Sequence, residues 1–104
     1  MHTTISVRHT EITADLRSRT DGVMARIGQL SPHALESTVV FDQSPTAHLV
    51  EIRLHMRGGL IVVGHGEGPD HRTALDRADE KVRRQLERNG SDARRSRGPT
   101  PRRP

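Results

Sequence analysis

Val50-Glu51-Ile52-Arg53-Leu54-His55-Met56-Arg57-Gly58-Gly59-Leu60 decides the fold. Val50, Ile52, Leu54 and Met56 alternate with Glu51, Arg53 and His55, the period of a strand with one face on a core and one in water. Gly58-Gly59 supplies the positive φ angles of a tight reversal, so a two-residue hairpin turn into a strand Leu60–Val63 is predicted. Upstream, the β-branched run Ser37–Phe41 reads as the preceding strand, reversing through Asp42-Gln43-Ser44-Pro45. Three successive strands joined by short turns make an antiparallel meander.

Outward from the meander the period changes. Leu16, Thr20, Val23, Ile27 and Leu30 fall on one face of a helix capped by Thr13, with Asp15 in its first turn. Gly22 and Gly28 weaken that helix, and Ser31-Pro32 ends it. Before it, Ile5 and Val7 alternate in a short strand Thr3–Arg8. Beyond the meander, Gly64–Gly68 reads as a loop. Asp70 then caps a helix over Arg72–Arg88 whose apolar stripe is Leu75, Ala78, Val82 and Leu86, with Asn89-Gly90 as its stop. The order is β-α-β-β-β-α: an α+β fold with a four-stranded sheet and both helices on one face. Residues 1–90 form the domain. Residues 91–104, rich in Arg, Pro, Ser and Gly, are expected to be a disordered tail or linker.

Composition removes whole classes of function. The 104 residues contain no cysteine and one aromatic among Phe, Trp and Tyr, Phe41. A disulfide framework, a thiol nucleophile and a Cys-ligated zinc site are excluded, and an aromatic base-stacking platform is disfavoured. No apolar run suits a membrane helix and no N-terminal apolar segment follows a basic start, so a cytoplasmic chain without a membrane partner is expected. The seven histidines show no i,i+4 pair of the zincin kind, and neither a metal nor a cofactor is expected. Gly64-His65-Gly66-Glu67-Gly68 lacks the spacing of a dinucleotide fingerprint and the Lys-Ser/Thr of a P-loop. No nucleophile sits in a recognisable elbow, and a small core leaves little room for a substrate pocket. The chain reads as a non-enzyme with no small-molecule substrate.

The formal charge of +4 is unevenly spread. Residues 1–82 hold nine basic and eleven acidic side chains; residues 83–104 hold eight arginines and two acids. A polyanionic partner, nucleic acid before membrane, and a merely solubilising Arg-rich tail both account for this excess, and composition alone leaves the two readings open. On the second helix Arg77, Lys81, Arg84 and Arg88 recur at i, i+4, i+7 and i+11. They share one face, about 140° from the apolar stripe at 100° per residue. Such a ridge has the geometry to track phosphates. An ordinary solvated face with pairs such as Glu80–Arg84 has the same pattern, and spacing alone leaves both readings open.

Five stretches together carry a family resemblance. They are Glu11-Ile12-Thr13, Leu54-His55-Met56-Arg57-Gly58-Gly59, Glu67-Gly68-Pro69-Asp70, Ala74-Leu75-Asp76 and Lys81-Val82-Arg83-Arg84-Gln85-Leu86-Glu87-Arg88. In this order and spacing they resemble the ribosome hibernation promoting factors, also called ribosome-associated inhibitor or sigma-54 modulation proteins, over residues 1 to 88. The resemblance implies a fold akin to double-stranded RNA-binding domains. It also implies silencing of ribosomes under stress or in stationary phase, by occupying the mRNA channel of the small subunit and the A and P tRNA sites. By position it assigns rRNA contacts to Lys81, Arg84 and Arg88 on the second helix and Arg26 on the first. Arg77 joins them from the ridge, and Arg94, Arg95 and Arg97 as tail contacts. The chain departs from the family pattern at Arg72, where Tyr is usual, at Val23, where a base is usual, and at Asn89-Gly90. A divergent member that docks a protein or forms a homodimer through its sheet edge is the alternative, as is the N-terminal part of a longer ribosome-dimerising factor.

Overall fold

The computed structural model describes residues 1–96, with side chains through Arg88. Strand β1 (His2–Val7), helix α1 (Ala14–Leu30), strands β2 (Ala34–Gln43), β3 (His48–Met56) and β4 (Ile61–Gly68) and helix α2 (His71–Ser96) follow one another. The strands form one sheet in the order β1-β2-β3-β4, with β1 parallel to β2 and the other pairs antiparallel. This is the predicted α+β arrangement. A parallel β1–β2 pair needs a crossover, which α1 provides. The core lies between the helices and one sheet face: Val39, Phe41, Val50, Ile52, Leu54 and Val62 meet Val23, Met24 and Ile27 of α1 and Leu75, Ala78 and Val82 of α2. Among the described residues, no helix is long and apolar enough to cross a membrane.

Local chemistry fixes the joints. The Thr13 hydroxyl accepts the Leu16 N–H at 3.0 Å, so one of the orphan donors of α1 is satisfied. Thr13→Ala is expected to lower unfolding stability by about 1 kcal/mol, read as an earlier urea midpoint with an unchanged slope. Asp70 does the same for α2, accepting the Thr73 N–H at 2.7 Å. That bond, ahead of the Thr73 hydroxyl, holds the Asp70 carboxyl below the usual carboxylate range.

Several expectations need correction. The β3–β4 reversal contains three residues, because Met56 N–H bonds to Leu60 O at 2.8 Å and Gly59 N–H to Met56 O at 3.1 Å. Gly58 and Gly59 do take positive φ, +89° and +92°. Residues 64–68 are strand, not loop. Gly64 and Gly66 are buried on the helix side of β4, directly beneath α2. A Cβ at Gly66 would lie far inside contact distance of the Ala74 carbonyl oxygen and 2.6 Å from the Ala78 nitrogen. At Gly64 it would lie 2.8 Å from the Ala78 oxygen. The glycines are the space into which α2 sinks. On α1, Leu30 is 61% exposed, being the last helical residue, and Met24 takes the buried place one turn beyond Thr20. The second helix also passes Asn89-Gly90 and ends at Ser96. An interior glycine costs a helix about 1 kcal/mol and removes no hydrogen bond, so it does not act as a stop. The tail assignment from residue 97 onward lies outside the described residues.

Candidate nucleic-acid interface

The helices run parallel, since β1 and β4 point the same way and each is followed by a helix that returns across the sheet. Their facing sides carry opposite charges that cancel. The Arg19 Nη2 donates to both carboxylate oxygens of Asp76 at 2.9 and 3.0 Å, and Arg83 lies 3.1 Å from Asp79. Asp79 is 6% exposed. Burial pushes its carboxyl above the ordinary aspartate value, while Arg83 and then Arg26 pull it back. Arg26, exposed on α1, is close enough for its charge to act on this buried carboxylate without forming an ion pair with it.

The ridge lies on the other flank of α2, along β4. Arg77, Lys81, Arg84 and Arg88 are all exposed. Arg77 donates to the Glu67 carbonyl at 2.6 Å, which anchors its guanidinium and leaves its charge uncancelled. Arg84 lies 3.1 Å from Glu80, with 66% and 59% of the two side chains exposed, a pairing that water and salt weaken readily. Among the described residues, Lys81 and Arg88 have no ion-pair partner. The structure thus brings four of the five predicted helix residues into one stripe and places Arg26 apart from them. Arg94 and Arg95 lie on the helical backbone with side chains outside the described residues, and Arg97 lies outside them altogether.

Lys81 also reaches the rim of a shallow cavity of about 360 Å³ at the β4 edge and the open sheet face, lined by His65, Glu67, Glu51, Leu49 and Arg8 among others. Acids and bases alternate around it, so it offers no consistent field to an anion. Among the described residues no group of three or more His, Cys, Asp or Glu side chains is placed to hold a metal. Sequence periodicity locates the ridge but gives no sign that Arg77 and Gln85 bond to the β4 carbonyls of Glu67 and Val63. Nor does it separate Asp79, sunk between the helices, from the acids at the surface.

Residues 3–93 match the family described as Sigma 54 modulation protein / S30EA ribosomal protein. Among solved structures, a ribosomal subunit interface protein from Coxiella burnetii superposes with a TM-score of 0.81 at 19% identity, over 88% of this chain and 99% of that one. The Thermus thermophilus Protein Y N-terminal domain does so with a TM-score of 0.74 at 27% identity, over 86% of this chain and 99% of that one. No curated protein matches the chain.

Proposed function

This chain belongs to the Sigma 54 modulation protein / S30EA ribosomal protein family, and we propose on that premise that it silences ribosomes by binding small-subunit rRNA in the mRNA and tRNA channel. The observation that carries the reading is the ridge: three arginines and a lysine held in register on a rigid helix, with only Arg84 engaged by an acid among the described residues. Phosphate contacts fix position and orientation, and bound volume does the rest. A double-stranded-RNA-like reader recognises shape and backbone, which suits a chain whose only Phe, Trp or Tyr, Phe41, is fully buried. No catalytic step is involved.

Arg26 is a secondary contact in this reading, released toward RNA at the cost of its attraction to Asp79. The Arg-rich end, including Arg94, Arg95 and Arg97, adds electrostatic attraction past the domain of residues 1–90. The work is done in the cytoplasm, under stress or in stationary phase, where idle ribosomes accumulate.

The decisive experiment combines sedimentation with competition. The protein is expected to co-migrate with isolated small subunits and to exclude a labelled mRNA and initiator tRNA from them in proportion to its own occupancy. Co-migration that leaves mRNA and tRNA binding unchanged would refute occlusion; failure to co-migrate would refute the ribosomal reading itself.

A further inference from the structure

The two edges of the sheet are treated differently. At β4 the outward carbonyls of Val63 and Glu67 are taken by Gln85 and Arg77 of α2. At β1, among the described residues, nothing does the same. The Arg8 N–H bonds to the Phe41 carbonyl at 2.8 Å, so the even residues of β1 turn their peptide groups toward β2. Alternation along a strand then turns those of Thr3, Ile5 and Val7 outward, leaving three N–H and three C=O groups in a row. An exposed edge is normally protected by charge, proline, a bulge or a covering element. His2-Thr3-Thr4-Ile5-Ser6-Val7 has no Asp, Glu, Lys, Arg or Pro, and its pairing with β2 is regular throughout.

We infer that β1 pairs antiparallel with β1 of a second copy, centred on Ile5, to join two four-stranded sheets into one of eight strands. Two geometric conditions set the register. Residues directly opposite must share a sheet face, and outward peptide groups must meet outward ones. Centring on Ile5 satisfies both: Ile5 faces Ile5, and Thr3 faces Val7 on either side. These three pairs exchange six N–H···O bonds. Thr3, Ile5 and Val7 point to the core side, opposite Ser37, Val39 and Phe41 of β2, and are only half-buried in one copy. A twofold partner supplies the missing cover with the same three residues, a self-complementary contact. On the open face Thr4 falls opposite Ser6 of the second copy. Like-charged residues there would sit with Cα atoms about 4.5 Å apart, the spacing of a non-hydrogen-bonded pair. Both α2 ridges stay at the outer edges of the joined sheet, so the contact is independent of RNA binding.

The test exploits the Thr4–Ser6 pairing. In sedimentation equilibrium the full chain is expected to rise from 11.6 kDa toward twice that mass with concentration. A Thr4→Lys/Ser6→Lys variant, altered only on the open face and checked for its fold by circular dichroism, is expected to lose at least about tenfold in dimer affinity. Mixed with a Thr4→Glu/Ser6→Glu variant, it is expected to recover a heterodimer. A wild-type chain that stays monomeric into the millimolar range would overturn the inference. So would a dimer that the lysine variant leaves intact, or one that the mixture fails to restore.

Discussion

Replacing Gly66 by alanine is expected to remove about 3 kcal/mol of stability, the upper end of overpacking costs. A single methyl group does this because of what it meets. The added Cβ would overlap the Ala74 carbonyl oxygen and press on the Ala78 nitrogen, both backbone atoms of α2. A side chain could rotate away; a helix backbone can only move as a body. Lifting α2 off β4 opens the contacts of Leu75, Ala78 and Val82 with the core. Since a domain of this size is stable by only about 5–15 kcal/mol, the variant loses a large share of its margin. Urea unfolding should show the midpoint falling by more than about 1 M. Gly22→Ala is the internal contrast: nothing lies within 4 Å of where its methyl group would sit on α1, so helix propensity alone acts and stability should rise by about 0.5–1 kcal/mol. Wild-type stability in Gly66→Ala would mean that α2 rides higher on the sheet than described.

Changing Lys81, Arg84 and Arg88 together to Glu is expected to abolish association with the small subunit at physiological salt. Each phosphate neutralised adds roughly −0.7 to −0.9 to the slope of log affinity against log salt. Four ridge contacts predict a wild-type slope of about −3, which is about a 60-fold weakening between 50 and 200 mM salt. The triple variant removes three of these contacts, so its slope should become shallower by about 2 to 3. The change is confined to exposed positions, and the one ion pair lost, Arg84–Glu80, is worth at most about 1 kcal/mol. Arg53→Glu on the open sheet face is the control and should change binding little. A triple variant that binds with an unaltered slope would move the interface away from α2. Binding that instead vanishes on removal of residues 91–104 alone would assign it to the Arg-rich end.

The sequence reveals elements whose pattern is local. Alternation in Val50–Met56 and the 3.6-residue period in Leu75–Leu86 are written in hydropathy, so the meander, the helices and the ridge are all legible. Gly64–Gly68 is misread because its reason for being a strand lies on another element. The period-two pattern is present, but its inward members are glycines rather than valines, and only the closeness of α2 explains them. The run through Asn89-Gly90 is misread for a related reason: weak helix formers resemble a boundary even where no proline enforces one. Arg26 and Asp79 show a third limit, because a charge ladder on one helix does not say which rungs face a neighbouring helix.

The connectivity of the sheet divides the molecule by loop-closure distance. Strands β2, β3 and β4 and helix α2 join through neighbours along the chain, while β1 reaches its partner β2 across 34 positions, His2 to Glu36. Long closures are the late and slow steps of folding. On that order the ridge would form with the sequence-local half of the molecule, ahead of β1. The strand with the least to hold it within one copy is the same strand whose outer row of peptide groups is free among the described residues, so in this chain assembly would tie down the element that folding secures last.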